Sequence, residues 1–168
     1  RLVAEYCDPD TNPQDARRFY LNQITHASDA WLSQPELTAI ADATKVVADR
    51  DVVVLGFDGS RKRSHATTDA TALIGCRVSD RHLFEVDVWE QPTGPAGDGW
   101  EVPVALVEAS LAGAFAKYSV VGLFADPAKW ESYLAKWEAT YGARLKVKAS
   151  RDHPMHWWMN RPSAVVAA

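Results

Sequence analysis

Two aspartates occupy matched places in the sequence. Asp58 directly follows the run Val52-Val53-Val54-Leu55-Gly56-Phe57, and Asp126 directly follows Val120-Val121-Gly122-Leu123-Phe124-Ala125. A carboxylate at the end of an apolar strand is costly unless it is paired, hydrogen-bonded or bound to a cation. If the two strands are adjacent and parallel, both carboxylates emerge at one end of the sheet, within reach of a shared cation. Hard oxygen donors of this kind suit Mg2+ or Mn2+. Two such ions, roughly 3.5–4 Å apart, can activate a water on one side and stabilise a leaving oxygen on the other, as phosphodiester hydrolysis requires. The plainer alternative is that Asp58 opens an Asp-Gly turn and Asp126 caps a helix starting at Pro127.

Asp69 is the third candidate. It opens the next strand across the polar segment 59–68, so hairpin geometry would return it toward Asp58, as a ligand or as support for one. Between them stand Arg61, Lys62 and Arg63, followed by Ser64 and His65. Cations beside an acidic cluster are placed to hold a DNA phosphate, although a charged surface turn is the commoner explanation of such a run. Glu85 and Asp87 are expected on one face of the third strand, with Glu90 just beyond it, and solvent exposure accounts for all three. His153 and His156 beside Trp157 and Trp158 could ligate a metal if helical, but packing in a core or interface accounts for them better. Neither a GxxxxGK[ST] nor a GxGxxG phosphate-binding pattern occurs.

The elements that would position these residues follow from periodicity. Residues 1–50 are polar and broken by Pro9, Pro13 and Pro35; a helix is expected near Gln14–Ile24 and a shorter one over Pro35–Val47. Asp51–Phe57 is a continuous β-branched and apolar run, the pattern of a strand buried on both faces. Ala70–Val78 and His82–Trp89 are further strands, joined by the turn Ser79-Asp80-Arg81. A Pro/Gly stretch, Gln91–Gly99, then leads to a helix opened by Pro103 with Val104, Val107, Leu111, Phe115 and Tyr118 on one stripe. Val120–Ala125 is a strand, and a second amphipathic helix carries Trp130, Tyr133, Leu134, Trp137 and Tyr141 up to Gly142. Leu145–Ala149 is expected as a short edge strand and the chain from His153 onward as helix.

The order β-β-β-α-β-α-β-α predicts an α/β fold: a ribonuclease-H-like mixed sheet, an antiparallel three-strand meander plus parallel strands, flanked by helices. The first and fourth strands should lie side by side at its centre. With 47% hydrophobic residues and seven tryptophans, 168 residues can bury a substantial core. The formal charge of -4 provides no overall basic field, so any nucleic-acid contact must come from a local cationic rim. Cys7 and Cys76 build neither a disulfide nor a zinc framework, and no apolar run reaches the roughly 18 residues of a membrane span. The start at Arg1 and the ending Ala-Val-Val-Ala-Ala, like an unfinished helix, lead to the expectation of a fragment.

Taken together, VVVLGFDGS, DATALIGCRV, HLFEVDVWEQP and VVGLFADPAKWESYLAKW, in this order and spacing, resemble the C-terminal nuclease part of large terminases of tailed bacteriophages, notably those infecting actinobacteria. The leading ARRFYLNQ resembles the segment that joins that family's ATPase and nuclease domains. The resemblance implies residues 1–50 as a linker from an ATPase domain and 51–168 as the nuclease domain, cut short at its C-terminus. It implies a Mg2+- or Mn2+-dependent endonuclease that cuts concatemeric double-stranded DNA during packaging in the host bacterial cytoplasm. The portal and the small terminase subunit would be its partners, with no membrane involved. Asp58 and Asp126 fall on the family's catalytic metal ligands, and Asp69 on a further metal-site residue of some members. The family's last catalytic acid lies on a helix beyond Ala168, and Asp152 is a poor substitute; the ATPase motifs are absent. The alternatives are a catalytically incomplete module that docks DNA or a portal, and an actin-like ATPase fragment. The latter would need a second half with a glycine-rich phosphate turn.

Overall fold

The computed structural model describes residues 34–60 and 70–158. The expected helix over Gln14–Ile24 therefore lies outside the described residues, as do Arg61, Lys62, Arg63, His65 and Asp69. The chain divides into two units, Arg1–Val46 and Val47–Ala168. The described part of the first holds helix α1 (Gln34–Ile40). This helix is shorter than the expected Pro35–Val47. Past its end, the Asp42 carboxylate accepts hydrogen bonds from the Thr44 N–H and hydroxyl at 3.0 and 2.6 Å. A side chain that satisfies the backbone in this way competes with helical hydrogen bonding.

The second unit contains β1 (Val52–Asp58), β2 (Thr71–Arg77), β3 (Leu83–Trp89), α2 (Val104–Lys117), β4 (Ser119–Ala125) and α3 (Glu131–Tyr141). The strands form one sheet in the order β3-β2-β1-β4. β1–β2 and β2–β3 pair antiparallel, and β1–β4 pair parallel. This is the α/β mixed sheet that the order of elements predicts, with the meander and the ribonuclease-H-like parallel partner in place. Ser79, Asp80 and Arg81 make the expected tight turn, and Arg81 adopts the left-handed conformation at φ 58°.

Three expectations are corrected. First, β1 is buried on one face only. Val53, Leu55 and Phe57 are sealed, whereas Val52 is 45% exposed and Gly56 lies open. Second, Leu145–Ala149 is not a strand, so β4 has only β1 as a laddered neighbour among the described residues and is not central. Instead, the Lys146 and Val147 amides both donate to the Val121 carbonyl at 2.8 Å. A shared acceptor of this kind breaks the alternation a ladder needs. Third, residues 153–158 are not helical. His156 bridges Ala125 in a parallel sense, with Ala125 N–H donating to the Met155 carbonyl at 2.9 Å and Trp157 N–H to the Ala125 carbonyl at 2.8 Å.

The sealed face packs against α2 and α3. Val107, Leu111, Ala114 and Phe115 come down from α2, and Leu134 and Trp137 from α3. Phe57 is wedged edge-on between Trp130 and Trp137, with ring centroids 5.0 and 5.1 Å away. Such edge-to-face contacts add to the area buried by these large rings. Gly97 accepts from the Gln91 amide at 2.8 Å, which ties the Pro/Gly stretch into a short 3-10 helix, Gly94–Gly97.

At the opposite end of the sheet from Asp58, Arg77 pairs with Asp80 at 2.8 Å and Asp51 at 3.3 Å. The hydrogen bond to Asp80 is the main reason its guanidinium is held above its ordinary pKa. No helix among the described residues is long and apolar enough to cross a membrane.

One-sided burial sets a sharp contrast on a single strand. Leu55→Ala, at a sealed position, is expected to cost about 2–5 kcal/mol in urea unfolding. Val52→Ala, on the open face, should cost less than about 1 kcal/mol. Equal losses at the two positions would contradict this packing.

Candidate metal and nuclease site at the strand ends

The register of β1 against β4 decides where the two acids stand. Gly56 is level with Phe124 and Phe57 with Ala125, and the Asp126 N–H donates to the Phe57 carbonyl at 3.3 Å. Asp58 and Asp126 are therefore the next level residues at the same end of two parallel strands. Side chains alternate along a strand. Phe57 and Ala125 point into the core, so Asp58 and Asp126 share the opposite, open face.

Both line one cavity of about 350 Å3, whose walls are Gly56, Phe57, Ala72, Ile74, Phe124, Ala125 and Trp157. The Trp157 ring packs edge-on to Phe124 at 5.7 Å. Gly56 leaves space here, since a Cβ at this position would meet nothing within 4 Å.

Asp58 is exposed at the end of β1. Asp126 is half-buried, and its Oδ1 accepts the Ala128 N–H at 3.0 Å. This satisfies the turn Pro127–Trp130 that precedes α3; the helix itself starts at Glu131, so Asp126 is not its direct cap. Its Oδ2 accepts no hydrogen bond among the described residues and remains available.

The turn after Asp58 is fixed by packing. A Cβ on Gly59 would fall 2.2 Å from the Trp130 Nε1, and Trp130 is fully buried. Only glycine fits between Asp58 and that indole. Beyond it, the Ser60 N–H donates to the Thr71 Oγ1 at 3.0 Å, and that hydroxyl donates to the Ser60 carbonyl at 3.3 Å. These bonds satisfy Thr71, a buried polar residue, and bring Ser60 back beside the start of β2.

The remaining acids are separated. β2 pairs with β3 through a bulge, so that Ile74 is level with Glu85 while Leu73 is level with Asp87. A bulge inserts one residue and reverses which face the strand presents. Glu85 and Asp87 therefore lie on opposite faces, which corrects the expectation that they share one. Asp87 is half-buried toward α2, where its Oδ2 accepts the Ser110 hydroxyl at 2.6 Å and its Oδ1 the Val88 N–H at 3.0 Å.

A second cluster was underrated in sequence. Glu138 on α3 meets His153 and His156, with one ligand atom from each within 4.8 Å of the others. Burial pushes the His156 imidazole below its ordinary pKa, with Glu138 opposing the shift. Its signal was the pair of histidines; Glu138 is hidden among exposed-looking positions of a helix.

Comparison with known proteins places this arrangement beside phage proteins. The chain is 40% identical over 152 residues to the gene 13 protein of Mycobacterium phage D29, and equally so to the gene 13 protein of Mycobacterium phage L5. Each match takes in 84% of this chain and 24% of the relative, so the chain spans about a quarter of the length of the curated relatives it matches. No family model matches the chain, and no solved structure matches it.

The close approach at Gly59 can be tested directly. Gly59→Ala is expected to lower stability by about 1–3 kcal/mol, the usual range for overpacking a filled site. An unchanged urea midpoint would show that the indole has room to move.

Proposed function

We propose that this chain is the metal-dependent endonuclease domain of a bacteriophage large terminase, hydrolysing phosphodiester bonds of double-stranded DNA during genome packaging. Asp58 and Asp126 carry this assignment, by standing level on adjacent parallel strands at the edge of one cavity. The phage origin of the two relatives supports it. In this proposal the chain acts in the host bacterial cytoplasm as part of a longer packaging protein, with the portal and the small subunit as partners.

The donor set fits Mg2+ or Mn2+. Asp126 keeps Oδ2 available while Oδ1 holds the turn, and the two carboxylates supply hard oxygens on one face. Such ions retain several waters and complete their shell with substrate phosphates, so two protein carboxylates are a workable minimum. When bound, they would neutralise charge on the phosphate and make a water acidic enough to attack it. The chain's own residues orient and confine. The Ala128 N–H fixes the Asp126 carboxylate, the Gly59–Trp130 contact fixes the turn carrying Asp58, and Trp157 and Phe124 wall the cavity. Asp69, Arg61, Lys62 and Arg63 lie outside the described residues, in the sequence between Ser60 and Thr71, which the Ser60–Thr71 hydrogen bond brings together. In this proposal Asp69 supplements the acids and the three cations hold the DNA backbone.

The competing module that only docks DNA or a portal draws on the apolar lining of the cavity, Gly56, Ala72, Ile74, Phe124 and Trp157. Plasmid cleavage with Mn2+ separates the two. The wild-type chain is expected to nick or linearise supercoiled plasmid and to stop when EDTA is added. Asp58→Asn and Asp126→Asn should each lower the rate by at least about 100-fold, the upper end of what merely supporting residues cost. Both variants should keep a cooperative thermal transition, so that a loss of cleavage reports on the site and not on unfolding. Full cleavage by either variant ends the nuclease assignment, and absent Mn2+ binding by the wild-type chain favours the docking module.

A further inference from the structure

We propose that Glu138, His153 and His156 form a second metal site, selective for Zn2+ or a neighbouring late transition ion and separate from the strand-end carboxylates. It is independent of the nuclease assignment. The donor chemistry points to the ion: two imidazoles and one carboxylate suit Zn2+, whereas Mg2+ and Mn2+ prefer all-oxygen shells. Zinc–ligand bonds of 2.0–2.2 Å in a tetrahedron put ligand atoms roughly 3.3–3.5 Å apart. Glu138 Oε2 lies 3.4 Å from His153 Nδ1, and Oε1 lies 3.8 Å from His156 Nε2. The three residues are thus nearly at coordination spacing.

The surroundings preorganise this site. Met155 N–H donates to Glu138 Oε1 at 2.9 Å, which fixes the carboxylate. The turn bearing His153 is closed by Ser150, whose N–H and hydroxyl donate to the His153 carbonyl at 3.0 and 2.8 Å. His156 Nε2 is buried and has no hydrogen-bond partner among the described residues. A buried ring nitrogen left unsatisfied is costly, and a cation in front of it removes that cost. The two rings stack nearly parallel at 4.3 Å, which does not aim both lone pairs at one point. His153, with 54% of its side chain exposed, is the ligand that turns to close the site. A solvent molecule would take the fourth position.

Such an ion would join α3 to the segment 149–157, which docks on the free edge of β4 through a few backbone hydrogen bonds. His156 faces Glu138 while its neighbour Trp157 lines the cavity on the other side. The ion would therefore hold a wall of that cavity in place.

The test uses the tag-free chain, stripped with EDTA and dialysed. Calorimetric titration with ZnCl2 should show one ion bound with micromolar or tighter affinity, and a higher thermal midpoint. Co2+ should give the intense visible absorption of a tetrahedral site. His153→Ala, exposed enough to leave the fold intact, and Glu138→Gln, which keeps the Met155 hydrogen bond, should each weaken Zn2+ binding by at least about tenfold. Asp58→Asn should bind Zn2+ like wild type, so this site and the strand-end site fail or stand separately. Absence of Zn2+ binding at micromolar concentrations, or binding unchanged in the His153→Ala and Glu138→Gln variants, overturns the proposal.

Discussion

The parallel pairing of β1 with β4 is the constraint on which the rest of this domain depends. It begins where the Ser119 N–H donates to the Asp51 carbonyl and ends where the Asp126 N–H donates to the Phe57 carbonyl. Between those points it aligns two apolar runs that are far apart in sequence. Because side chains alternate, a slip by one residue would turn one of the two acids into the core. Burial of Phe57 and Ala125 against the helices excludes that slip. The same packing that stabilises the sheet therefore sets the two aspartates level on one face, at the rim of one cavity.

Helical cover on one face gives the sheet two characters. The sealed side is aromatic and dense, with Phe57, Trp130 and Trp137 in edge-on contact and Phe115 stacked on Tyr141 at 4.1 Å. Arg144 closes the latter pair, donating to the Phe115 carbonyl at 2.7 Å. The open side is apolar but shallow, with Gly56, Ala72, Ile74 and Phe124 around a cavity rimmed by the acids. Trp130 links the two sides: its buried indole admits only glycine at position 59 and so shapes the turn that follows Asp58.

The edge of β4 is closed by an unusual device. Where a fifth strand was expected, two short contacts replace a ladder, one at Val121 and one at Ala125. The chain between them turns back through the Ser150–His153 turn, which brings two imidazoles over Glu138. Irregular backbone here serves to present side chains, a service that a regular edge strand would not provide.

Much of this was legible in the sequence. Strong apolar periodicity located all four described strands and both long helices of the second unit, and the crossover rule for βαβ connections made β1 and β4 neighbours. Asp58 and Asp126 stood out because each directly follows an apolar run. What failed depended on partners that sequence does not specify. The run Val52–Phe57 looked buried on both faces because β-branched residues suit any pleated surface, exposed or not. The bulge that parts Glu85 from Asp87 leaves no mark in the order of residues, since it depends on how β3 meets β2. Lys146-Val147-Lys148 had strand-like composition, but the edge of β4 offered one shared carbonyl rather than a ladder. The cluster of Glu138 with His153 and His156 joins a helix to a later turn. Local pattern fixes which elements form, because periodicity acts over a few residues; only the packed chain decides which faces meet and which distant side chains converge.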